Sequence, residues 1–483
     1  KDVEMPSVVT LACMELSGMG FSNRECEAQK AVMQAQMSSL EKKAYCVVGH
    51  PFSLASSNEI SNVLYGELHL PSPTGPLTPT RGRKGRGGIG SRGKRLSGPT
   101  NKEALEKLSK IHPLPAVITQ WRKINSSLNK VVFPLQEARV HCSRLSMDRI
   151  HPLTHTFTAT GRVTMHEPNL QNIPKDFNIQ VTSDKARSGI STSVQHRTLI
   201  NSAIMTQLAP LLTDEGEKHT VSLRHALVAR AGNVLLSADY SQLELRLLAH
   251  LASDDKLLHL LNSGEDVFAM IAAQIHLINR EDVTPDQRQQ SKQICYGLIY
   301  GMGTQALSEQ LGVGEDEALS FMENFKGSFP GVKQFIQNTI EKSCKEGYVL
   351  TLMGRRRYLP NITSKDLCAR AQSERQAVNT AIQGSAADIV KLAMVRINTA
   401  IRQAFPTAPA FLTQPTKSRE DISGGFLVLQ LHDELMYEVV SEDVIQVAQL
   451  VQSHMEGVQQ LAVSLPVNIK VGPSWGAMQT LNL

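Results

Sequence analysis

Three carboxylates stand where a chain could use them to hold a cation. Asp239 closes the apolar run NVLLSADY (233–240), and Asp433 and Glu434 sit at the tip of GGFLVLQLHDELMYEVV (424–440). A single acid at a strand end is commonly a solvated turn residue. Two such ends brought together repel one another unless a cation lies between them. Mg²⁺ suits the task, because few carboxylates hold it and substrate phosphates complete its shell. Two such ions about 3.5–4 Å apart would clamp the attacking and leaving oxygens of an in-line phosphoryl transfer.

A second constellation lies in RQQSKQICYGLIYG (288–301), where Arg288, Lys292, Tyr296 and Tyr300 follow one another in steps of four. On an α-helix each step climbs about 6 Å, so the four form a slowly drifting stripe about 18 Å long. The cations would meet a triphosphate and the tyrosines a base and sugar. Without the carboxylates, a solvated basic face running into core aromatics is the better reading of the same stripe.

These residues need elements to hold them. NVLLSADY reads as a strand, and SQLELRLLAHLA (241–252) switches to helical spacing directly after it. Residues 424–440 read as strand, tight acidic turn, strand. Several helices fill the interval up to about residue 402. Near the N-terminus, QKAVMQAQMSSLEKKAYCVVG has helical spacing and stops at Gly49. Three stretches interrupt the pattern as insertions: 71–100, rich in Pro, Gly, Ser and Arg; 178–222, without a period; and 407–423, rich in Pro, Thr and Ser.

With 483 residues and 41% hydrophobic composition, two or three lobes with large cores are expected. No stretch of about 18 apolar residues is present, so no membrane span is expected. The seven cysteines are scattered, without a Cys-x-x-Cys pair, which argues against a zinc ribbon or a disulfide framework. The net charge of +5 is local: RGRKGRGGIGSRGKR (81–95) holds seven cations and no acid, leaving −2 (5 − 7) for the rest. Such a run suits a polyanion or a solvated loop.

Together, LLSADYSQLELRLLAH, RQQSKQICYGLIYG and LQLHDELMYEV resemble motifs A, B and C of the family A DNA polymerases, and TATGRVTMHEPNLQNIP (158–174) and GRRRYLP…ERQAVNTAIQGSAADIVKLAM (354–394) resemble two further family segments. The resemblance covers nearly the whole chain. It implies an α+β, Klenow-like right-hand polymerase fold (palm, thumb, fingers) with three insertions. The implied boundaries are palm 1–22, thumb 23–130 with insertion 71–100, palm 131–245 with insertion 178–222, fingers 246–376, and palm 377–483 with insertion 407–423. The implied partners are primer–template DNA and deoxynucleoside triphosphates, and the implied cofactor is two Mg²⁺ ions.

Residue roles follow from the resemblance. Asp239, Asp433 and the Tyr240 carbonyl would hold metal, and Glu434 would be a secondary acid near the primer end. Arg288 and Lys292 would neutralise the triphosphate, with Lys292 also protonating the leaving pyrophosphate. Tyr296 would stack on the incoming nucleotide and Tyr300 would lie by the templating base. Gln242 and His432 complete the nucleotide set, and Glu244 would be the steric gate against a ribose hydroxyl. Arg162, Asn169, Gln171, Arg375, Asn379 and Gln383 would contact DNA, where every base pair offers a minor-groove acceptor.

QICYGLIYGMG, MGRRRYLP and ERQAVNTAIQGSAADIVK, with insertions at three places, are similar to the branch of the family that joins broken ends through short homologies and copies past lesions. That branch implies a nuclear enzyme and is compatible with a helicase domain N-terminal to this piece. Proofreading is not expected here: Asp2-Val-Glu4 stands alone, and the next aspartate is Asp148. Retention of both motif aspartates argues against a non-catalytic DNA-binding relative.

Overall fold

The computed structural model describes residues 3–72, 78–80, 95–181, 217–276, 278–299, 301–406 and 423–483. The basic run, except for its last residue, and Tyr300 lie outside the described residues. So do 182–216 and 407–422 of the second and third insertions. The chain divides into two compact units: 21–139 with 172–227, and 1–20 with 140–171 and 228–483. Residues 172–227, read from the sequence as part of the palm, thus group with the helical unit.

The helical unit is built on Asn23–Val48, which starts with a serine N-cap in which the Ser22 side chain accepts from Glu25 N–H. It ends at Gly49 in the left-handed region, where the sequence places its stop. It packs on Leu114–Ser127, and Trp121 Nε1 donates to Glu41 across the contact at 2.9 Å. Both described insertion rims are short antiparallel pairs. Thr78–Thr80 pairs with Arg95–Ser97, and Phe177–Val181 pairs with Glu217–Val221.

The second unit holds the described residues that the sequence nominates for the site. In chain order its main elements are α1 (Glu4–Ser17), β1 (Met147–Ile150), β2 (Asn233–Tyr240), α2 (Leu243–Ala252), α3 (Val267–His276) and α4 (Pro285–Ile299). They continue as α5 (Pro330–Glu346), β3 (Tyr348–Leu350), β4 (Arg356–Tyr358), α6 (Leu367–Asn379) and α7 (Ser385–Ala404). The last are β5 (Gly425–Leu431), β6 (Glu434–Val440), α8 (Val444–Glu456), β7 (Val467–Gly472) and β8 (Gln479–Thr480). A fully antiparallel sheet runs β5-β6-β2-β7-β8. Its central strand β2 is buried along most of its length, which is why it reads as a continuous apolar run rather than an alternation. Helix α1 packs on β5, and α8 packs on β2 and β7.

A second core joins α2, α3, α4 and α5 through Leu248, Phe268, Ile271, Cys295, Ile299, Phe329 and Val332. Helix α4 is therefore fixed by burial of Ile294, Cys295 and Ile299, not by its own polar stripe. Among the described residues no helix is long and apolar enough to cross a membrane.

Candidate active site

The sheet register brings the three acids together. Asp239 is the cross-strand partner of Glu434, and Tyr240 N–H donates to the Asp433 carbonyl at 3.2 Å. The β5–β6 turn is closed by His432 at φ +53°, and Gln430 Nε2 donates to the His432 carbonyl at 2.8 Å. Glu434 accepts from Ser237 Oγ at 2.5 Å, so one of the acids already has a local partner. Burial first, then the charges of Asp433 and Glu434, push the Asp239 carboxyl up to about 7. Burial also raises Asp433 above the ordinary carboxylate range. His432 is lowered by burial and by the neighbouring Arg162 cation.

Two aspartates that ionise this reluctantly fit a site completed by a divalent cation. Among the described residues no group of three or more His, Cys, Asp or Glu side chains is placed to hold a metal ion by itself. Two carboxylates and the backbone make an open donor set, the kind Mg²⁺ uses when substrate phosphates supply the remaining ligands.

Arg288, Lys292 and Tyr296 do share one face of α4, and the structure supplies what the sequence reading missed. All three lie against a single ring, Phe268 of α3. The Arg288 guanidinium is 5.7 Å from its centroid, Lys292 Nζ 5.8 Å, and the Tyr296 ring 5.9 Å. Asp266, two residues earlier, accepts from Arg288 Nε at 2.5 Å. The signal was available as Asp-x-Phe ahead of the motif, but only tertiary packing shows that it backs the cations. Where α4 ends, Gly301 has φ +86°, and a Cβ there would lie 2.8 Å from Arg375 Cγ. The close approach seats Arg375, exposed on α6, beside the end of α4.

Arg162 and Glu244 form a direct ion pair, so a residue expected to contact DNA and the expected sugar gate meet. The loop carrying Arg162 is held from two sides. Arg355 donates to the Thr160 carbonyl at 2.6 Å while bound to Asp388 at 2.9 Å and to the Gly384 carbonyl at 3.1 Å. A side chain at Gly161 would strike the Arg355 guanidinium. Gln171 Nε2 donates to the Val163 carbonyl at 3.0 Å and the Gln430 carbonyl at 3.1 Å. Its amide braces the loop against β5, and Asn169 Oδ1 accepts from Gln171 N–H at 3.0 Å. Asn379 and Gln383 follow Arg375 along the same helical stretch, half-buried, and Asn379 Oδ1 has no hydrogen-bond partner among the described residues. Gln242 takes the left-handed turn that opens α2, two residues before Glu244.

A cavity of about 270 Å³ is lined by Arg162, Glu244, Lys292, Tyr296, His432 and Asp433. Its floor is α7, where buried Lys391 is paired with Glu4 of α1 through two 2.9 Å bonds. Glu4, half of the lone Asp-x-Glu match, is thus engaged in a structural pair.

The model of DNA polymerase family A matches residues 23–477. DNA polymerase theta of Mus musculus is 42% identical across the whole chain, and that of Drosophila melanogaster is 34% identical. The thermostable DNA polymerase I of Thermus aquaticus is 32% identical over 98% of the chain. The chain spans 20% of each theta relative and 48% of the Thermus protein. Among solved structures, the POL domain of Pol1 from M. smegmatis, in complex with DNA primer-template and dNTP, superposes with a TM-score of 0.75 at 30% identity. That match covers 98% of this chain and 70% of the other.

Proposed function

Because this chain belongs to DNA polymerase family A, we propose that it extends a primer 3′ end with deoxynucleotides under the direction of a template strand. The observation that carries the reading is the placement of Asp239 opposite Glu434 and beside Asp433, at a cavity whose wall is Lys292 and Tyr296. Asp239, Asp433 and the Tyr240 carbonyl would hold two Mg²⁺ ions. When bound, the ions supply charge stabilisation at the attacking and leaving oxygens. Arg288 and Lys292 neutralise the triphosphate, and Lys292 stands ready to give a proton to the departing pyrophosphate. Tyr296 offers its ring to the incoming base. Tyr300 is carried into this reading from the motif alone. Primer extension with deoxynucleotides and Mg²⁺ is the test; absence of templated addition would reject the reading.

Glu244 is proposed as the sugar gate. Its carboxylate lines the cavity and is held by Arg162, so it cannot easily swing aside for a 2′-hydroxyl. Glu244→Ala should therefore improve ribonucleotide over deoxynucleotide incorporation by roughly 10- to 200-fold, the range for one pocket contact. Competition kinetics on one template measure it. An unchanged ratio would move the gate elsewhere.

The palm is proposed to be the antiparallel sheet with α1, α7 and α8, the fingers α2 to α6, and the thumb the helical unit. The likeness to the theta polymerases supports a finer reading: a nuclear enzyme, without proofreading in this segment, that joins ends through short homologies and copies past lesions. Such tasks present few primer–template base pairs, so phosphate contacts must carry more of the binding. The seven cations of 81–95 are an obvious source, argued from charge alone. Each phosphate neutralised contributes about 0.9 to the log–log salt slope. Replacing all seven by Ser should flatten that slope and weaken extension of minimally paired ends, while addition to a long duplex is retained. Identical slopes would remove the run from the DNA interface, and a tagged full-length protein excluded from the nucleus would overturn the localisation.

A further inference from the structure

The β3–β4 hairpin presents a face that the site above does not use. Its inner side is fastened down. Val349 and Leu359 are buried with Ile362 against Ala377 and Ala381, and Arg357 Nη1 donates to Thr380 Oγ1 at 2.7 Å. Strand alternation sends Tyr348, Leu350, Arg356 and Tyr358 to the other side. There Tyr348 and Tyr358 are cross-strand partners, edge to face, with ring centroids 6.0 Å apart and planes at 68°. The Arg356 guanidinium lies 5.0 Å from the Tyr348 centroid. Tyr358 is 71% exposed. Held by contact with its neighbour, this ring keeps much of its own surface open to a ligand.

Residues 347–360 contain three arginines and no acid. Among the described residues Arg356 has no carboxylate partner. A rigid strand pair that exposes an aromatic beside an unneutralised guanidinium offers a ring to a planar group and a charge to an anion. Unpaired nucleotides carry both. Bases inside a duplex have their faces covered by their neighbours, whereas a single strand has faces to give.

We propose that Tyr358, with Tyr348 and Arg356, is a stacking platform for the unpaired template strand ahead of the primer terminus. The inference rests on the polymerase reading, since the hairpin is fastened to the stretch that carries Arg375 and Asn379. Tyr358 stacks on a template base, and Arg356 meets the adjoining phosphate. Every base has a π-face, so the platform accepts any template sequence.

The test is binding of this chain to two primer–templates that differ only in the template 5′ overhang, one nucleotide against about ten, a length within the span of single-strand sites. Tyr358→Ala should lose about five- to tenfold affinity for the long overhang, within the range for one base on one ring. It should bind the short one as the parent does. Tyr358→Phe, which keeps the ring, should behave as the parent on both. Abasic residues throughout the long overhang should bring the parent down to the alanine variant. Equal affinity of parent and Tyr358→Ala on the long overhang overturns the proposal. An equal loss on both substrates does so too, because it marks a duplex or structural role. Insensitivity of the parent to abasic residues would assign the face to phosphates or to a protein partner instead. Failure of the parent to extend the short-overhang primer is a separate result, which rejects the polymerase reading and the platform with it.

Discussion

Asp239→Asn and Asp433→Asn are each expected to bind primer–template as the parent does and to lose about 10³-fold or more in nucleotide addition under Mg²⁺. The loss follows from removing several kcal/mol of charge stabilisation at the reacting oxygens, each 1.36 kcal/mol being a factor of ten. Asp433 lines the cavity and Asp239 lies beside it on the neighbouring strand, neither on the exposed arginine-bearing helix, so DNA affinity should survive. Single-turnover extension with equal bound DNA measures the effect, and addition by either variant within tenfold of the parent would exclude the metal-holding role. A second readout comes from the acids' own discomfort. Asp239 ionises at about 7 in the folded protein against an ordinary 3.8. Between those values the folded state keeps a proton that the unfolded state releases, so metal-free stability falls as pH rises through that window. Asparagine escapes the penalty. Asp239→Asn should melt higher than the parent at pH 8 without Mg²⁺, by about 2–4 kcal/mol in stability, and the two should converge near pH 4. A variant that is less stable at both pH values would contradict this electrostatic account.

The candidate site was more legible in the sequence than its support. Asp239, Asp433 and the α4 stripe could be found because their spacing repeats the period of a strand, a hairpin and a helix. The sheet then did what such patterns require, pairing β2 with β6 in a register that sets Asp239 against Glu434. Phe268 could not be found this way. Its role depends on α3 crossing α4, and one phenylalanine in an apolar helix carries no mark of what lies on it. Gln171 shows the converse. A polar residue beside a DNA-binding motif suggests a DNA contact, but carries no mark that its amide links two carbonyls from chain segments 267 residues apart (430 − 163). Lys391 is similar: a lone cation among apolar neighbours signals burial, but not that its partner lies near the N-terminus. Period identifies faces, whereas pairings between remote segments are fixed by packing.

Arg149→Met is expected to be the most damaging substitution outside the cavity. Arg149 and Glu438 have no exposed side-chain surface and meet at 2.8 Å. Arg149 also donates to the Ser17 carbonyl at 2.7 Å and the Gly18 carbonyl at 2.8 Å, fastening the end of α1 to β1 and β6. Glu438 further accepts from Arg230 N–H and Asn233 Nδ2, each at 3.2 Å. Removing one member of a buried pair strands the other charge, at a cost of about 3–5 kcal/mol. Urea denaturation should show that loss as a lower midpoint. The pair also offers an internal control, because removing both charges need not be costly. Arg149→Met with Glu438→Gln keeps an acceptor for Arg230 and Asn233 while discarding the stranded carboxylate, and should recover a large part of the lost stability. A double variant as unstable as the single one would assign the damage to the two uncapped carbonyls of α1 instead. Because Glu438 lies on the strand that begins with Glu434, the single variant should also show whether the acids depend on this fastening. Below its melting range it should retain the parent's nucleotide KM if β6 holds its register through its ladders with β2 and β5, and lose it if the buried pair is what keeps β6 in place.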